Sequence, residues 1–297
     1  MHPHVHPSAD MGVRSYHFVA VPLDSAACNI NPSLHMAEIR FNELGKPAEA
    51  HRMSTTQQYN PLALQLLARD RLNDEEMGIL NDLASVTPKQ MAIGDNLVLE
   101  GDSPTASCLM LSGYSARYHV LSDGKRNISA IHVPGDFVDL HSLLLQPMDH
   151  GVIALSAASV VMIPHTRLRG LTETHPHLSR MLWLSTLVDA AMHRRWLVAS
   201  GRLSPVGRVA HLLCELFVRL RTVHQVDGNR FWLPMTQAQL SDAMGLSTVH
   251  INRTLQEMRK RGLIVWSGAD VEILDWEALA SAAEFDAGYL NLQTRAR

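Results

Sequence analysis

The chain has 297 residues, 46% hydrophobic and 19% charged, with a net charge of −3 and three cysteines. This length predicts two domains, and the composition is that of a globular protein rather than a disordered or fibrous one. No apolar run reaches the roughly 18 residues of a membrane span. Cys28, Cys108 and Cys214 are too scattered for a disulfide framework or a cysteine-ligated metal. The sequence therefore predicts a cytoplasmic protein with no membrane partner, no cofactor and no metal.

Residues 1–55 are predicted to be a disordered N-terminal extension. They begin with a histidine–proline tract, His2 to Pro7, for which a flexible tail is favoured over a metal site. Regular periodicity begins only after Met53, which suggests the hypothesis that Met53 is the natural start and that residues 1–52 are upstream translation.

Residues 56–171 are predicted to form a β domain with flanking helices. Helical spacing over 61–83 favours one or two short helices, with Asn73 as a cap before three acidic residues. From Met91 to Pro164, short runs rich in Val, Ile and Leu alternate with turn residues about every ten positions. That spacing is typical of a sandwich or jelly roll.

Residues 172–202 are predicted to form a dimerisation helix that ends in a hinge near Gly201. Two apolar stripes run along this segment, so the helix must be covered on two sides. We expect one stripe to pack on the β domain and the other to pack on a second copy of the chain. The alternative is that both faces are buried within one chain. The residues predicted at the dimer interface are Met181, Leu184, Val188, Ala191 and Val198.

Residues 203–276 contain the pattern of a helix-turn-helix. Thr236 can cap a first helix, Gly245 suits a sharp turn, and Ser247 can cap a second helix. On the second helix Ile251, Leu255 and Met258 form the predicted packed stripe. The opposite face is polar and basic, as a helix that enters a major groove requires, and Arg253 is the first choice for a contact to guanine. The predicted DNA-binding residues are Thr236, Gln237, Gln239, Ser247, Thr248, Val249, His250, Asn252, Arg253, Gln256 and Lys260.

Two strands around Ser267 to Asp270 are predicted directly after the second helix, which makes the unit a winged helix, followed by a C-terminal helix or tail over 277–297. Between 204 and 262 the chain carries eight Lys or Arg residues against four acids. This local excess of positive charge favours double-stranded DNA as the partner.

The order of these parts resembles the Crp–Fnr family of bacterial transcription regulators. The most specific segments are Pro134-Gly135-Asp136-Phe137, the stretch from Ser204 to Ala210, and the pattern Leu246-Ser247-x-x-x-Ile251-x-Arg253-x-Leu255. The resemblance implies an α+β fold class, with an N-terminal β-roll or jelly-roll sensor domain, a long dimerisation helix and a C-terminal winged helix-turn-helix. It also implies a homodimer that binds an inverted repeat, with RNA polymerase as a further candidate partner.

The sequence departs from this family at the effector site. Cyclic-AMP-binding members carry a glutamate for the ribose and an Arg-Ser pair for the phosphate, and these positions fall on Leu140 and on His150-Gly151. Leucine cannot accept from a ribose hydroxyl, and histidine is a poor replacement for a fixed guanidinium. We therefore predict a regulator that cyclic AMP does not control. The predicted effector pocket comprises Asp139, Leu140, His141 and His150.

Besides a cyclic-nucleotide site, the sequence can be compared with two further kinds of sensor and one rival function. Only Cys28 and Cys108 precede the dimerisation helix, so the iron–sulfur cluster of oxygen-sensing members is not expected. The histidines of the β domain have no characteristic ligand spacing, which disfavours a haem or metal site. The rival is a small-ligand, haem or metal-binding module whose C-terminal domain contacts proteins instead of DNA. An enzyme is the least favoured class, because the chain has no phosphate-binding glycine loop, no G-x-S-x-G and no H-E-x-x-H.

Overall fold

The computed structural model describes residues 60–293. The predictions for the first 55 residues, including Met53, Cys28 and the histidine–proline tract, lie outside the described residues. The described part begins with two short helices, α1 (Pro61–Leu67) and α2 (Asp74–Ala84). The predicted cap at Asn73 is confirmed, since its side chain accepts from the Glu76 amide while the Glu76 carboxylate accepts from the Asn73 amide.

Seven strands build the β domain between residues 89 and 164, which confirms the predicted β character of this stretch. They form two antiparallel sheets in the orders β1-β7-β3 and β2-β6-β4-β5. Met110, Val152 and Val160 belong to the buried core between the sheets, whereas Leu109 and Val161 point to the other face of β3 and β7 and pack with the flanking helices. The strands are β1 (Lys89–Met91), β2 (Asn96–Val98), β3 (Ala106–Ser112), β4 (Ser115–Val120), β5 (Arg126–His132), β6 (Gly151–Ala154) and β7 (Ala158–Pro164).

The turn that contains the Pro-Gly-Asp-Phe motif joins β5 to a short 3-10 turn, Leu140–Leu143. Gly135 has a φ of +91°, and a Cβ there would lie 2.5 Å from the Pro61 carbonyl oxygen. Only glycine fits this conformation and this close approach of α1. Asp136 closes the turn by accepting from the Val133 amide at 2.8 Å.

Two helices, not one, follow the β domain. They are α3 (His165–Thr174) and α4 (Pro176–Arg202), and the break falls at His175 because Pro176 has no amide to continue the helix. The predicted hinge at Gly201 is corrected as well. Helix α4 runs through Gly201, and the chain becomes extended at Leu203 before Ser204 caps α5 (Pro205–Thr222).

The C-terminal unit is a winged helix. After α5 come β8 (Val226–Asp227), β9 (Arg230–Trp232), α6 (Gln237–Met244), α7 (Thr248–Lys260), β10 (Ile264–Ser267), β11 (Asp270–Ile273) and α8 (Trp276–Ala282). The predicted hairpin is present as β10 and β11, whose sheet has the order β10-β11-β9-β8. Sequence reasoning missed β8 and β9, since two and three residues are too few to show a period.

This winged helix packs on the β domain of the same chain. Buried Arg219 of α5 pairs with Asp136 of the glycine turn and donates to the Ile131 carbonyl at 3.0 Å. Arg126 of β5 pairs with Asp242 of α6 at 3.1 Å. Among residues 60–293, no helix is both long and apolar enough to cross a bilayer.

Candidate nucleic-acid interface and effector site

The turn between α6 and α7 has the geometry that the sequence predicts. Gly245 adopts a left-handed conformation with a φ of +63° and ends α6. Ser247 then accepts from the His250 amide and caps α7. Because each helix end is satisfied locally, the angle between the two helices is set by three adjacent residues.

Helix α7 has one buried and one exposed face. Ile251, Leu255 and Met258 are each no more than 4% exposed, which confirms the predicted packed stripe. The side chains opposite them lie at the surface, and Val249 is 59% exposed although it is apolar. All of the following are exposed on this face: Thr248, Val249, His250, Asn252, Arg253, Gln256 and Lys260. The structure therefore presents the predicted recognition surface to solvent.

Three of the predicted DNA-binding residues, Thr236, Gln239 and Ser247, form the N-terminal caps of α6 and α7. Thr236 accepts from the Gln239 amide at 3.1 Å, and the Gln239 side-chain oxygen accepts from the Thr236 amide at 2.8 Å. Ser247 is occupied in the same way at the start of α7. Their hydroxyl or carbonyl oxygens are used locally, although each cap still places free amides at a helix start, where a phosphate can bind. Gln237 is exposed on the first turn of α6.

A cleft with a cavity volume of about 50 Å³ opens between the β domain, α4 and α5, at the position of the predicted effector pocket. Leu140 and His141 line it, as predicted. Asp139 does not, because it is fully buried and accepts from the Cys108 amide at 2.6 Å behind the cleft. Burial raises the pKa of Asp139 to about 7.

A buried arginine that sequence reasoning missed organises the cleft. Arg117 of β4 is 4% exposed, and its Nη2 pairs with Asp189 of α4 at 3.1 Å. Its Nη1 lies 2.6 Å from His193, and its Nε donates to His150 Nε2 at 3.1 Å. The predicted pocket residue His150 does not line the cleft, but Arg117 connects it to these two residues of α4.

The imidazoles of this network are neutral. Burial, reinforced by the Arg117 charge, lowers the pKa of His150 to about 4 and also lowers the pKa values of His132 and His141. For Asp189, burial acts to raise the pKa, but the Arg117 guanidinium holds it below its usual range. The cleft is thus lined by two ion pairs of buried arginines, Arg117–Asp189 and Arg219–Asp136, with uncharged imidazoles beside the first.

Helix α4 buries part of the predicted dimer interface within its own chain. Met181 and Val188 are 0% and 4% exposed, so these two side chains cannot contact a second copy in this conformation, and their prediction is corrected. Met181 packs into the core formed by the β domain and the first helices. Leu184 and Ala191 are half-buried, whereas Val198 is exposed. The solvent-facing stripe of α4 comprises Trp183, Leu187, Leu197 and Val198.

Two family profiles match the chain. One, described as a cyclic nucleotide-binding domain, covers residues 88–175, and the other, described as a Crp-like helix-turn-helix domain, covers residues 207–282. The transcriptional activator protein FnrA of Stutzerimonas stutzeri is 25% identical over 212 residues, which are 71% of this chain and 86% of FnrA. The nitrogen fixation regulation protein FixK of Bradyrhizobium diazoefficiens is 27% identical over 192 residues, 64% of this chain and 80% of FixK.

Solved structures show the same fold. FixK2 from Bradyrhizobium japonicum superposes with a TM-score of 0.58 at 22% identity, over 71% of this chain and 98% of FixK2. The two family profiles in this order, together with relatives named as transcriptional regulators, define the chain as a transcription regulator with a helix-turn-helix DNA-binding domain. The chain belongs to the Crp–Fnr family of transcriptional regulators.

Proposed function

We propose that this regulator binds an inverted repeat of double-stranded DNA as a homodimer in the cytoplasm, without control by cyclic AMP. The observation that carries the proposal is the exposed face of α7, where Arg253 and its polar neighbours stand clear of the protein. In a two-fold dimer, two such helices enter successive major grooves about one helical turn apart. Basic residues at the end of α7 meet phosphates, so the affinity falls with rising salt.

The stripe of exposed apolar residues on α4 supports the homodimer. Trp183 is 67% exposed, Leu187 51%, Leu197 74% and Val198 54%. All four lie on one face of α4, about 100° wide, although ten positions separate Leu187 from Leu197. An apolar face of this kind can pair with its own copy in a coiled coil. Of the predicted interface, Val198 belongs to this stripe, and half-buried Leu184 and Ala191 flank it.

Independence from cyclic AMP is supported by the shape and charge of the β-roll. Leu140 offers no acceptor for a ribose hydroxyl. The Arg117 guanidinium is present in the cleft, but Asp189 already neutralises it at 3.1 Å. At Gly151, the position of the phosphate-binding serine, a Cβ would lie 2.5 Å from the Tyr118 ring. The cyclic phosphate would therefore find the Arg117 charge already neutralised by Asp189. Tyr118 also occupies the space that a serine side chain at position 151 would need.

A selection from random duplex DNA, with and without cyclic AMP, tests the proposal. We expect an inverted repeat to be enriched equally in both arms. The half-site should differ from the familiar one, because Thr248 and Val249 stand where family members often carry Arg-Glu. Enrichment that requires the nucleotide would overturn the independence from cyclic AMP, and enrichment of a single, unrepeated site would overturn the dimer. RNA polymerase remains a proposed partner, since the relative FnrA is named a transcriptional activator.

The dimer surface has its own test by light scattering. The double variant Leu187→Asp/Leu197→Asp places two charges in the stripe and should yield a monomer. Leu144→Asp is the matched control, since Leu144 is 87% exposed but lies on the β domain. A double variant that stays dimeric would place the interface elsewhere.

A further inference from the structure

We propose that His141, Asp149 and His150 form a binding site for a divalent transition-metal ion of the zinc class in the β-roll. His141 lies on the 3-10 turn Leu140–Leu143, and Asp149 and His150 immediately precede β6. One ligand atom from each residue lies within 4.8 Å of the other two. Neither family profile nor any relative described above assigns an ion to these residues.

The donor set and its spacing suit such an ion. Zinc takes imidazole nitrogens and carboxylate oxygens at about 2.0–2.2 Å, so the ligand atoms of a tetrahedral site lie roughly 3.4 Å apart. The ligand atoms lie within 4.8 Å of one another, so the widest pair needs to close by at most about 1.4 Å, and Asp149 Oδ1 already lies 2.6 Å from His150 Nδ1. Two nitrogens and one oxygen leave a fourth position for water or a further ligand.

The state of His141 is the second observation that points to a ligand. Its Nε2 is buried and has no hydrogen-bond partner. Buried polar atoms without partners are exceptional in folded proteins, because each costs the free energy of a lost hydrogen bond. A metal ion can be the missing partner, because it accepts the lone pair of an unprotonated imidazole nitrogen directly.

The tautomer of His150 couples this site to α4. Arg117 Nε can only donate, so His150 Nε2 accepts at 3.1 Å and the ring proton resides on Nδ1, which faces Asp149 Oδ1 at 2.6 Å. A metal that binds Nδ1 takes its lone pair, and the proton moves from Nδ1 to Nε2. Arg117 Nε then faces a donor and must shift. Because Arg117 also holds Asp189 and His193, ion binding alters the contact between the β-roll and α4.

Zinc binding to the full chain tests the proposal by calorimetry. The background is the variant His2→Ala/His4→Ala/His6→Ala, which removes the histidines of the N-terminal tract as competing ligands. In this background Asp149→Asn and His141→Gln are compared with Asp123→Asn, an exposed aspartate of the β4–β5 turn. The carboxylate of Asp149 is 83% exposed, so its substitution should leave the fold intact, which circular dichroism verifies.

We expect one zinc ion per chain in the background and in Asp123→Asn. Binding should weaken at least tenfold in Asp149→Asn and in His141→Gln. Cobalt(II) should give a visible absorption band in the background that both site variants lose. Binding that is equal in all variants, or no saturable binding in the folded background, would overturn the proposal. The test involves no DNA, so its outcome is separate from that of the proposed function.

Discussion

The recognition surface of α7 and the histidine cluster of the β-roll are built in opposite ways. Every exposed group of α7 comes from one continuous helix, and its orientation follows from the helical repeat and two caps. The β-roll cluster brings Arg117 of β4, His141 and His150 together with Asp189 and His193 of α4. A site on one helix tolerates change at its surface, whereas a site assembled from distant segments depends on each buried partner.

The recognition surface and the protein interior also differ in the surroundings of their arginine side chains. Arg253 is exposed and its charge is available to DNA. Arg117 and Arg219 are buried, and each is neutralised by a carboxylate of another element. Arg117 and Arg219 hold elements together from the interior, whereas Arg253 presents its side chain at the surface. The predictions below test this division.

The largest expected loss of stability follows removal of the buried Arg219 side chain, which pairs with two carboxylates. Arg219→Met leaves Asp136 and Glu215 buried without their cation, which should lower the free energy of unfolding by about 3–5 kcal/mol. Urea unfolding measures it. The control Arg230→Met removes an exposed arginine that pairs with Glu272 at 2.9 Å, and should cost no more than about 1 kcal/mol. Equal losses in the two variants would contradict the distinction between buried and exposed arginines.

The buried carboxyl of Asp139 should make stability depend on pH. Its pKa of about 7 in the folded state lies above its ordinary value, 3.8. Between about pH 4 and 7 the folded state therefore keeps a proton that the unfolded state releases, and the contribution of Asp139 to stability falls as pH rises. Asp139→Asn does not titrate, so its unfolding free energy relative to the unsubstituted protein should rise with pH, by at most about 1.4 kcal/mol per pH unit.

Urea titrations from pH 4.5 to 7 measure this slope. The exposed Asp123→Asn variant serves as control, because the pKa of Asp123 is lowered by its hydrogen bonds to Lys125 and its titration lies below this window. If the difference between Asp139→Asn and the unsubstituted protein were flat across the range, Asp139 would be ionised in the folded state.

On α7, Arg253→Ala should reduce DNA affinity by about 1–3 kcal/mol and relax discrimination at one base pair, with unfolding unchanged. Binding to the selected repeat, measured at one fixed salt concentration, provides the comparison. Arg169→Ala, at an exposed position of α3, removes the same charge far from α7 and is the control. A uniform loss over all sequences would make Arg253 a phosphate contact instead.

The smallest effect on stability is expected at the contact between the β domain and the winged helix. Arg126 and Asp242 join β5 to α6, and both side chains are partly exposed, at 31% and 27%. Asp242→Asn should therefore change the unfolding free energy by less than about 1 kcal/mol at low ionic strength and by still less at high ionic strength. Urea midpoints at two salt concentrations decide it, and a larger, salt-independent loss would indicate a buried pair.

The amino-acid sequence by itself determined the order of elements and the winged helix, because helix caps, the Gly245 turn and a 3.6-residue period act over a few neighbouring positions. The resemblance to the Crp–Fnr family, aligned from the glycine turn, also pointed to Leu140 and His141, which line the cleft. The sequence pattern wrongly assigned Met181 and Val188 of α4 to the dimer interface, although both are buried within the chain. Two apolar stripes on one helix do not indicate which neighbour covers each stripe.

Only the tertiary structure decided the contents of the β-roll. In the sheet order β2-β6-β4-β5, Arg117 lies opposite Val152, which brings its side chain to His150, 33 positions away. Helix α4 then adds Asp189 and His193 to Arg117 from more than 70 positions away. No period or spacing in the chain encodes these distances. Strand pairing and helix packing are long-range interactions, and they alone bring the nitrogen and oxygen donors of the cluster together.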